Sequence, residues 1–244
     1  MRVLIVGGTG GSGTRAVAHY LRAAGLYIGT DLNESLDAMP FARLLSQFIE
    51  PRLLSKATDM AAFSSDEFKQ AWLEAARQHL SGFSGDQIWC AKNPRSILLL
   101  DLLYELFPEI SFLHVVRDGV DMAFSDNQRQ LVLHGDSILG QNIAKESTPS
   151  RSLKLWALLN QQASDLGQTY PGRYAQLRYE DFCKDPHSQM ARLSEVLSLP
   201  LRHDQVDPGT YVRSTRVAPV VMTEEVQSTI SLIAPVRELF GYPC

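Results

Sequence analysis

The segment with the clearest chemical potential is a glycine-rich stretch near the start of the chain. Five of the seven residues from Gly7 to Gly13 are glycine, Ser12 lies within the stretch and Thr14 follows it. Glycines let the backbone turn tightly and point several N–H groups in one direction, and a helix that begins there adds the positive end of its dipole. The stretch therefore predicts a binding loop for a phosphate or a sulfate group.

The same glycines also fit the dinucleotide-binding fingerprint. Gly8, Gly10 and Gly13 have its spacing, and Asp31 lies at a suitable distance downstream for a ribose contact. An NAD(P)-dependent reductase is therefore an open alternative, and a non-catalytic nucleotide-binding module is another. The loop resembles the start of the short-chain reductases. However, no tyrosine in the chain is followed by lysine four residues later, so the usual catalytic pair of that family is missing.

A nucleotide triphosphatase P-loop is the third pattern that the glycines fit. Gly8 and Gly13 match its two glycines, but Thr14 and Arg15 stand where lysine and then serine or threonine are expected. Without that lysine the loop is poorly suited to binding a γ-phosphate and magnesium. The sequence therefore disfavours a triphosphate kinase.

Two motifs together resemble the donor-binding motifs of the sulfotransferase family. The first is Ser12-Gly13-Thr14 after a predicted strand, and the second runs from Val115 to Ser125, with Arg117 eight residues before the serine. Lys92-Asn-Pro-Arg95 resembles the family's short lysine-containing loop. The segment from Arg178 to Pro186, with its Tyr-Glu-Asp sequence, resembles the family's strand-to-helix element. The resemblance therefore extends across most of the chain.

The resemblance implies a transferase whose donor is 3′-phosphoadenosine 5′-phosphosulfate and which requires no metal. Arg117 and Ser125 would hold the 3′-phosphate through a planar guanidinium fork and a neutral hydroxyl, although Arg117 could instead pair with Asp121. A late basic segment would close over the same phosphate. The complete predicted donor site consists of Gly10, Gly11, Ser12, Gly13, Thr14, Arg15, Arg117, Ser125, Arg213 and Arg216.

One position departs from the family pattern. The family commonly carries lysine or arginine immediately before the serine of the first motif, where this chain has Gly11. That basic side chain normally neutralises charge at the bridging oxygen of the donor. We expect Lys92, Arg95 or Arg15 to supply the positive charge instead, with Lys92 as the predicted catalytic residue.

The base that deprotonates the acceptor is predicted shortly after the first helix. The family uses a histidine or glutamate near the acceptor, and Glu34 is the candidate here. Asp31 and Asp37 are alternatives, and a solvated loop carboxylate is an equally simple interpretation of each. The acceptor is expected to be a small molecule, a glycan or a lipid.

These residues require a sheet that brings three loops to one edge. Four apolar runs predict strands, at residues 3–6, 87–91, 110–116 and 174–179. Because helical patterns lie between them, the chain is expected to form a three-layer α/β/α fold with a mainly parallel sheet, like that of the P-loop NTPases. Ligands collect beyond the carboxyl ends of such strands, so the loops at 7–14, 92–95 and 117–125 are expected to meet.

The remaining pattern predicts one domain, 1–244, with a helical insertion at about 31–83 that covers the cleft. Helices are expected at 14–24, 38–49, 66–80, 96–107, from about 120, 153–166 and 187–197. Glu180 and Asp181 are expected to cap or brace the helix that follows them.

Composition limits the other classes of function. The formal net charge of −4 argues against broad binding of nucleic acid or of an anionic membrane surface. The most apolar run, Ile97 to Leu103, is far too short to span a bilayer. Three scattered cysteines indicate neither a disulfide framework nor a zinc cluster. The first strand pattern begins at Arg2, which leaves no room for a signal peptide ahead of it, so we expect a cytoplasmic protein.

Overall fold

Four parallel strands form the centre of the molecule. The structure is a computed structural model that describes residues 3–58, 63–85, 88–140, 143, 145–202, 206–207, 209 and 222–243. The strands are β1 (Val3–Gly7), β2 (Trp89–Lys92), β3 (Ile110–Val116) and β4 (Tyr174–Arg178). They are hydrogen-bonded in the order β2-β1-β3-β4, and all three pairings are parallel. Because parallel neighbours need crossover connections, the segments between them must pass over the faces of the sheet.

Helices make up most of these connections. Within the described residues they are α1 (Thr14–Ala23), α2 (Met39–Thr58), α3 (Ser65–His79), α4 (Leu100–Leu106), α5 (Gly119–Ala123), α6 (Arg129–Leu139), α7 (Thr148–Thr169), α8 (Tyr179–Lys184), α9 (Pro186–Val196), α10 (Glu224–Leu232) and α11 (Ala234–Leu239). Short 3₁₀ helices occupy Leu80–Gly82 and Pro94–Leu99.

The sheet is buried on both faces, as the apolar strand sequences require. In β1, Val3 and Ile5 join a cluster that includes α2, α3 and α4, whereas Leu4 and Val6 join a cluster on the other face with α1, α8 and α9. Alternate side chains of a strand point to opposite faces, so a continuous apolar run indicates two covered faces. The predicted three-layer α/β/α fold with a parallel sheet is confirmed.

The strand boundaries lie close to those expected, and the helices differ more. β2 begins at Trp89 rather than at 87. The expected helix at 96–107 begins as a 3₁₀ segment at Pro94, where the Asn93 side chain accepts a hydrogen bond from the Arg95 N–H, and continues as α4. The sequence did not predict α6, α8, α10 and α11, and α2 continues past Pro51 to Thr58, beyond its expected end at 49. None of the described helices combines the length and the apolar character needed to span a bilayer.

The strand register places the predicted loops at one edge. Val6 pairs with Lys92, Gly7 pairs with His114, and Val116 pairs with Arg178. The carboxyl ends of the strands are therefore nearly level, and the segments that follow β1, β2 and β3 leave the sheet on the same side.

Candidate functional site

A cleft of ≈1300 Å³ lies at this carboxyl edge. Its walls come from the glycine loop, the first turns of α1, the segment before α2, the Lys92–Arg95 loop, Arg117 and the start of α6. The Gly8 N–H donates to the Pro94 carbonyl at 3.2 Å, which joins two of the loops directly. The expected meeting of the three loops is therefore observed.

The glycine loop lies directly on the strand ends because two of its residues have no side chain. A Cβ atom on Gly8 would lie 2.3 Å from the Val115 carbonyl oxygen of β3. Gly13 has a φ of +95°, and a Cβ atom there would lie 2.2 Å from the Tyr179 ring. Any larger residue at either position would push the loop away from the sheet. Close approach, as well as a tight turn, explains these glycines.

Four polar side-chain atoms around the loop are buried with no hydrogen-bond partner in the described part of the chain. They are Ser12 Oγ, Arg117 Nε, Ser125 Oγ and Gln130 Nε2. Leaving such an atom unpaired costs about 1–3 kcal/mol, so a bound group that accepts hydrogen bonds here would stabilise the site. Each can donate a hydrogen bond, which favours an anion. Ser125 Oγ also lies 4.0 Å from the point that a Cβ atom on Gly11 would occupy, so it is next to the loop.

Arg117 pairs with Asp121 and also faces the cleft. Its Nη2 atom donates to Asp121 Oδ2 at 3.2 Å, and its guanidinium carbon lies 5.8 Å from the centre of the Tyr179 ring. The side chain is 17% exposed, and Nε remains unpaired. The two alternatives from the sequence are therefore compatible, because Asp121 orients the guanidinium without using all of its donors.

The turn that carries Arg117 is held from behind by the C-terminal segment. Arg237, only 5% exposed, forms an ion pair with Asp118 at 3.2 Å. Glu180 accepts hydrogen bonds from the Asp118 N–H and from the Tyr242 hydroxyl, both at 2.9 Å. The expectation that Glu180 or Asp181 caps the helix that follows is wrong, because Asp185 caps the start of α9. The partners of Glu180 lie on the turn after β3 and on the residues beyond α11.

Lys92 is a buried ammonium group with two partners. Its side chain is 2% exposed, and Nζ donates to the Ser35 carbonyl at 2.8 Å and to Asp37 Oδ1 at 2.6 Å. Burial lowers the pKa of Lys92, and the nearby Asp37 carboxylate opposes that effect. Lys92 thus lines the cleft and also anchors the segment before α2 to the end of β2.

The other predicted cations differ in how many contacts they make with the described residues. Arg95 donates from Nη2 to a carbonyl and a hydroxyl of α2, at 3.0 and 3.1 Å, and burial lowers its pKa. Arg15 lines the cleft, is exposed, and makes no hydrogen bond or ion pair among the described residues. Of these two, Arg15 is the side chain that can reorient toward a ligand. Arg213 and Arg216 lie outside the described residues.

The three candidate carboxylates also differ. Asp31 pairs with Arg43 at 3.0 Å, and Asp37 is held by Lys92. Glu34 is exposed on the wall of the cleft and has no ion-pair partner in the described ranges. Within the same ranges, no group of three or more His, Cys, Asp or Glu residues is arranged to hold a metal ion.

Two cleft residues were missed by the sequence reasoning. His19 lies one helical turn after Arg15, and burial, followed by the charges of Arg15 and Arg22, lowers the pKa of His19. Its four-residue spacing from Arg15 is a signal that was present in the sequence. Gln130 accepts a hydrogen bond from the Gly10 N–H at 2.5 Å. No sequence pattern predicts that contact, because 120 residues separate the partners.

Comparison with known proteins points in one direction. A family model described as the sulfotransferase family matches residues 4–204. A search of curated proteins gives no match. One similar solved structure is sulfotransferase STF9 from Mycobacterium avium, with a TM-score of 0.57 and 13% identity over 99% of this chain and 77% of that one. A second is a sulfotransferase from Alicyclobacillus acidocaldarius, with a TM-score of 0.55 and 15% identity over 100% of this chain and 96% of that one. A third is the sulfotransferase domain from the Synechococcus PCC 7002 olefin synthase, with a TM-score of 0.52 and 16% identity over 100% of this chain and 95% of that one. At these identities the structures bear on the fold alone.

Proposed function

The chain belongs to the sulfotransferase family and is a sulfotransferase, and we propose that it moves a sulfuryl group from 3′-phosphoadenosine 5′-phosphosulfate to a hydroxyl or amine of an acceptor. One observation above all supports this donor. Ser12, Arg117 and Ser125 each keep a buried donor atom without a partner among the described residues, and Arg117 lines the cleft. A nucleotide with anionic groups on both its 5′ and 3′ sides would satisfy all three.

We assign the two anionic ends of the donor to two parts of the site. The backbone N–H groups of Gly10–Thr14, with the Ser12 and Thr14 hydroxyls, hold the 5′-phosphosulfate at the start of α1. Arg117 and Ser125 hold the 3′-phosphate, the guanidinium by its free N–H groups and the serine by its hydroxyl. The residues present therefore suit the donor at both ends.

The leaving group needs positive charge near it. Sulfuryl transfer joins the acceptor oxygen to sulfur while the bond from sulfur to the bridging oxygen breaks, and the electron pair stays with the departing phosphate. Cations beside that oxygen stabilise the developing charge. We assign this role to Arg15, which has no hydrogen bond or ion pair with a described residue, together with Lys92, whose ammonium lines the cleft while Asp37 holds it.

Glu34 is the proposed base for the acceptor. Its side chain lines the cleft, as the glycine loop does, and its carboxylate is not engaged in an ion pair with any described residue. It would take the proton from the acceptor as the oxygen attacks sulfur. The acceptor is proposed to be a small molecule, a glycan or a lipid, which the segment before α2 and the first turns of α2 would contact.

Calorimetry with desulfated nucleotides tests the donor assignment. Wild-type protein should bind adenosine 3′,5′-bisphosphate at least tenfold more tightly than adenosine 5′-monophosphate, because only the first carries a 3′-phosphate. Arg117→Met should remove that preference and leave the affinity for the monophosphate nearly unchanged. Arg77→Met, on the exposed side of α3, is the matched control.

The result that would overturn the assignment is a wild-type protein that does not distinguish the two nucleotides. Binding of the bisphosphate without transfer to any acceptor would instead indicate a non-catalytic module.

A further inference from the structure

Gln130 connects α6 to the glycine loop in a way that the donor assignment does not use. It lies in the first turn of α6, its side chain is buried, and it lines the cleft together with Gly10. The Gly10 N–H donates to Gln130 Oε1 at 2.5 Å. A long-range contact of this kind fixes the position of the side chain on the loop.

The chemistry of this contact determines which end of the amide faces which way. The Gly10 N–H can only donate, so the atom that receives it must be the amide oxygen. The other end, Nε2, is then a donor, and it is buried with no partner among the described residues. A buried donor without a hydrogen-bond partner costs free energy, so a ligand atom that accepts from Nε2 would remove that cost.

Next to Gly10, residue 11 adds no side chain to the loop, and the nearest atoms to a Cβ atom built there lie 3.8–4.0 Å away, on Met122, Asn127 and Ser125. The space beside the loop is therefore bordered by the segment that leads into α6. Its neutral donors include the Asn127 amide and the Ser125 hydroxyl.

We propose that Gln130 is a donor-contacting residue whose Nε2 atom donates to a sulfuryl oxygen, while Oε1 stays hydrogen-bonded to Gly10. With Oε1 held by the Gly10 N–H, the soft terminal torsion of glutamine still leaves Nε2 some freedom to meet a ligand acceptor. A fixed neutral donor stabilises charge on the sulfuryl group without a counter-ion of its own. This inference rests on the proposed function and deepens it.

Two variants separate contact with the donor from support of the loop. Gln130→Met is similar in length but can neither accept from Gly10 nor donate. Gln130→Glu keeps an oxygen for the Gly10 N–H but replaces the donor by a negative charge. Gln70→Glu, on the exposed side of α3, is the control.

The measurement is the affinity for 3′-phosphoadenosine 5′-phosphosulfate divided by the affinity for adenosine 3′,5′-bisphosphate, determined by calorimetry. Only the first ligand carries a sulfuryl group. We expect this ratio to fall about tenfold in Gln130→Met and further in Gln130→Glu, and the single-turnover rate to fall about 10²-fold or more in each, as for loss of one fixed donor. The control should match wild type.

If Gln130 only holds the loop, the ratio of the two affinities should fall more in Gln130→Met than in Gln130→Glu, because Gln130→Glu retains the Gly10 contact. A ratio that is unchanged in both variants, or smallest in Gln130→Met, would therefore overturn the inference while leaving the proposed function intact. A wild-type protein that binds neither nucleotide would overturn both.

Discussion

Acidification should destabilise this protein through one buried histidine. His114 lies in β3 and is fully buried, with Nδ1 2.7 Å from the Tyr174 hydroxyl and Nε2 2.8 Å from Asn160 Oδ1. The Asn160 amide donates to the Trp156 carbonyl, which fixes its oxygen toward the histidine. The histidine therefore donates from Nε2 and accepts at Nδ1, so the neutral ring is fully satisfied.

The magnitude follows from the pKa. Burial lowers the pKa of His114 from 6.5 to about 4. The folded protein binds a proton at His114 less readily than the unfolded chain does. The stability that the neutral histidine contributes is therefore present above pH 6.5 and is lost as pH falls from 6.5 to 4. A pKa of about 4 in the folded protein against 6.5 in the unfolded chain corresponds to about 3 kcal/mol in full, of which about 2 kcal/mol should be lost between pH 7 and pH 5.

Urea unfolding at the two pH values tests this reasoning. Carboxylates also titrate in this range, so the informative quantity is the difference between wild type and His114→Gln, which retains a donor for Asn160 but does not titrate. The free energy of unfolding of the variant should fall about 2 kcal/mol less than that of wild type between pH 7 and pH 5. Equal losses in the two proteins would refute the argument.

Three further substitutions test the architecture of the site by urea unfolding and nucleotide binding. Gly8→Ala should destabilise by about 2 kcal/mol or more and abolish nucleotide binding, because its Cβ would collide with a β3 carbonyl; normal binding would contradict the close packing. Arg237→Met should cost about 2–3 kcal/mol by leaving the partly buried Asp118 carboxylate without its cation, and should weaken binding of adenosine 3′,5′-bisphosphate. Asp37→Asn should cost about 3 kcal/mol because the Lys92 ammonium loses its counter-ion; adding Lys92→Met should recover part of that loss, and strictly additive losses would argue against the pairing.

The sequence was most informative where local chemistry and local geometry coincide. The glycine loop is read from five glycines that follow an apolar strand, and the Arg117 turn from a polar residue at the end of another. Because the carboxyl ends of parallel strands share one edge, predicting the strands was enough to predict that these loops meet.

Other features depend on contacts that no local pattern encodes. The Gly10–Gln130 hydrogen bond joins residues 120 positions apart, and the Lys92–Asp37 pair joins residues 55 apart. From the sequence alone Lys92 could be a free catalytic cation, but the folded chain buries it and pairs it with Asp37. The sequence indicated which cations lie at the cleft without indicating which of them are already engaged.

The contacts made by Arg237 and Tyr242 have a consequence for how related enzymes are compared. Both residues lie beyond the range 4–204 of the family match. Arg237 contacts Asp118 directly and Tyr242 contacts it through Glu180, so both support the turn that carries Arg117, which is proposed to bind the 3′-phosphate. Two relatives with the same residues facing the nucleotide can therefore differ in donor affinity if their tails differ. Alignments of the donor motifs alone would hide the origin of such a difference.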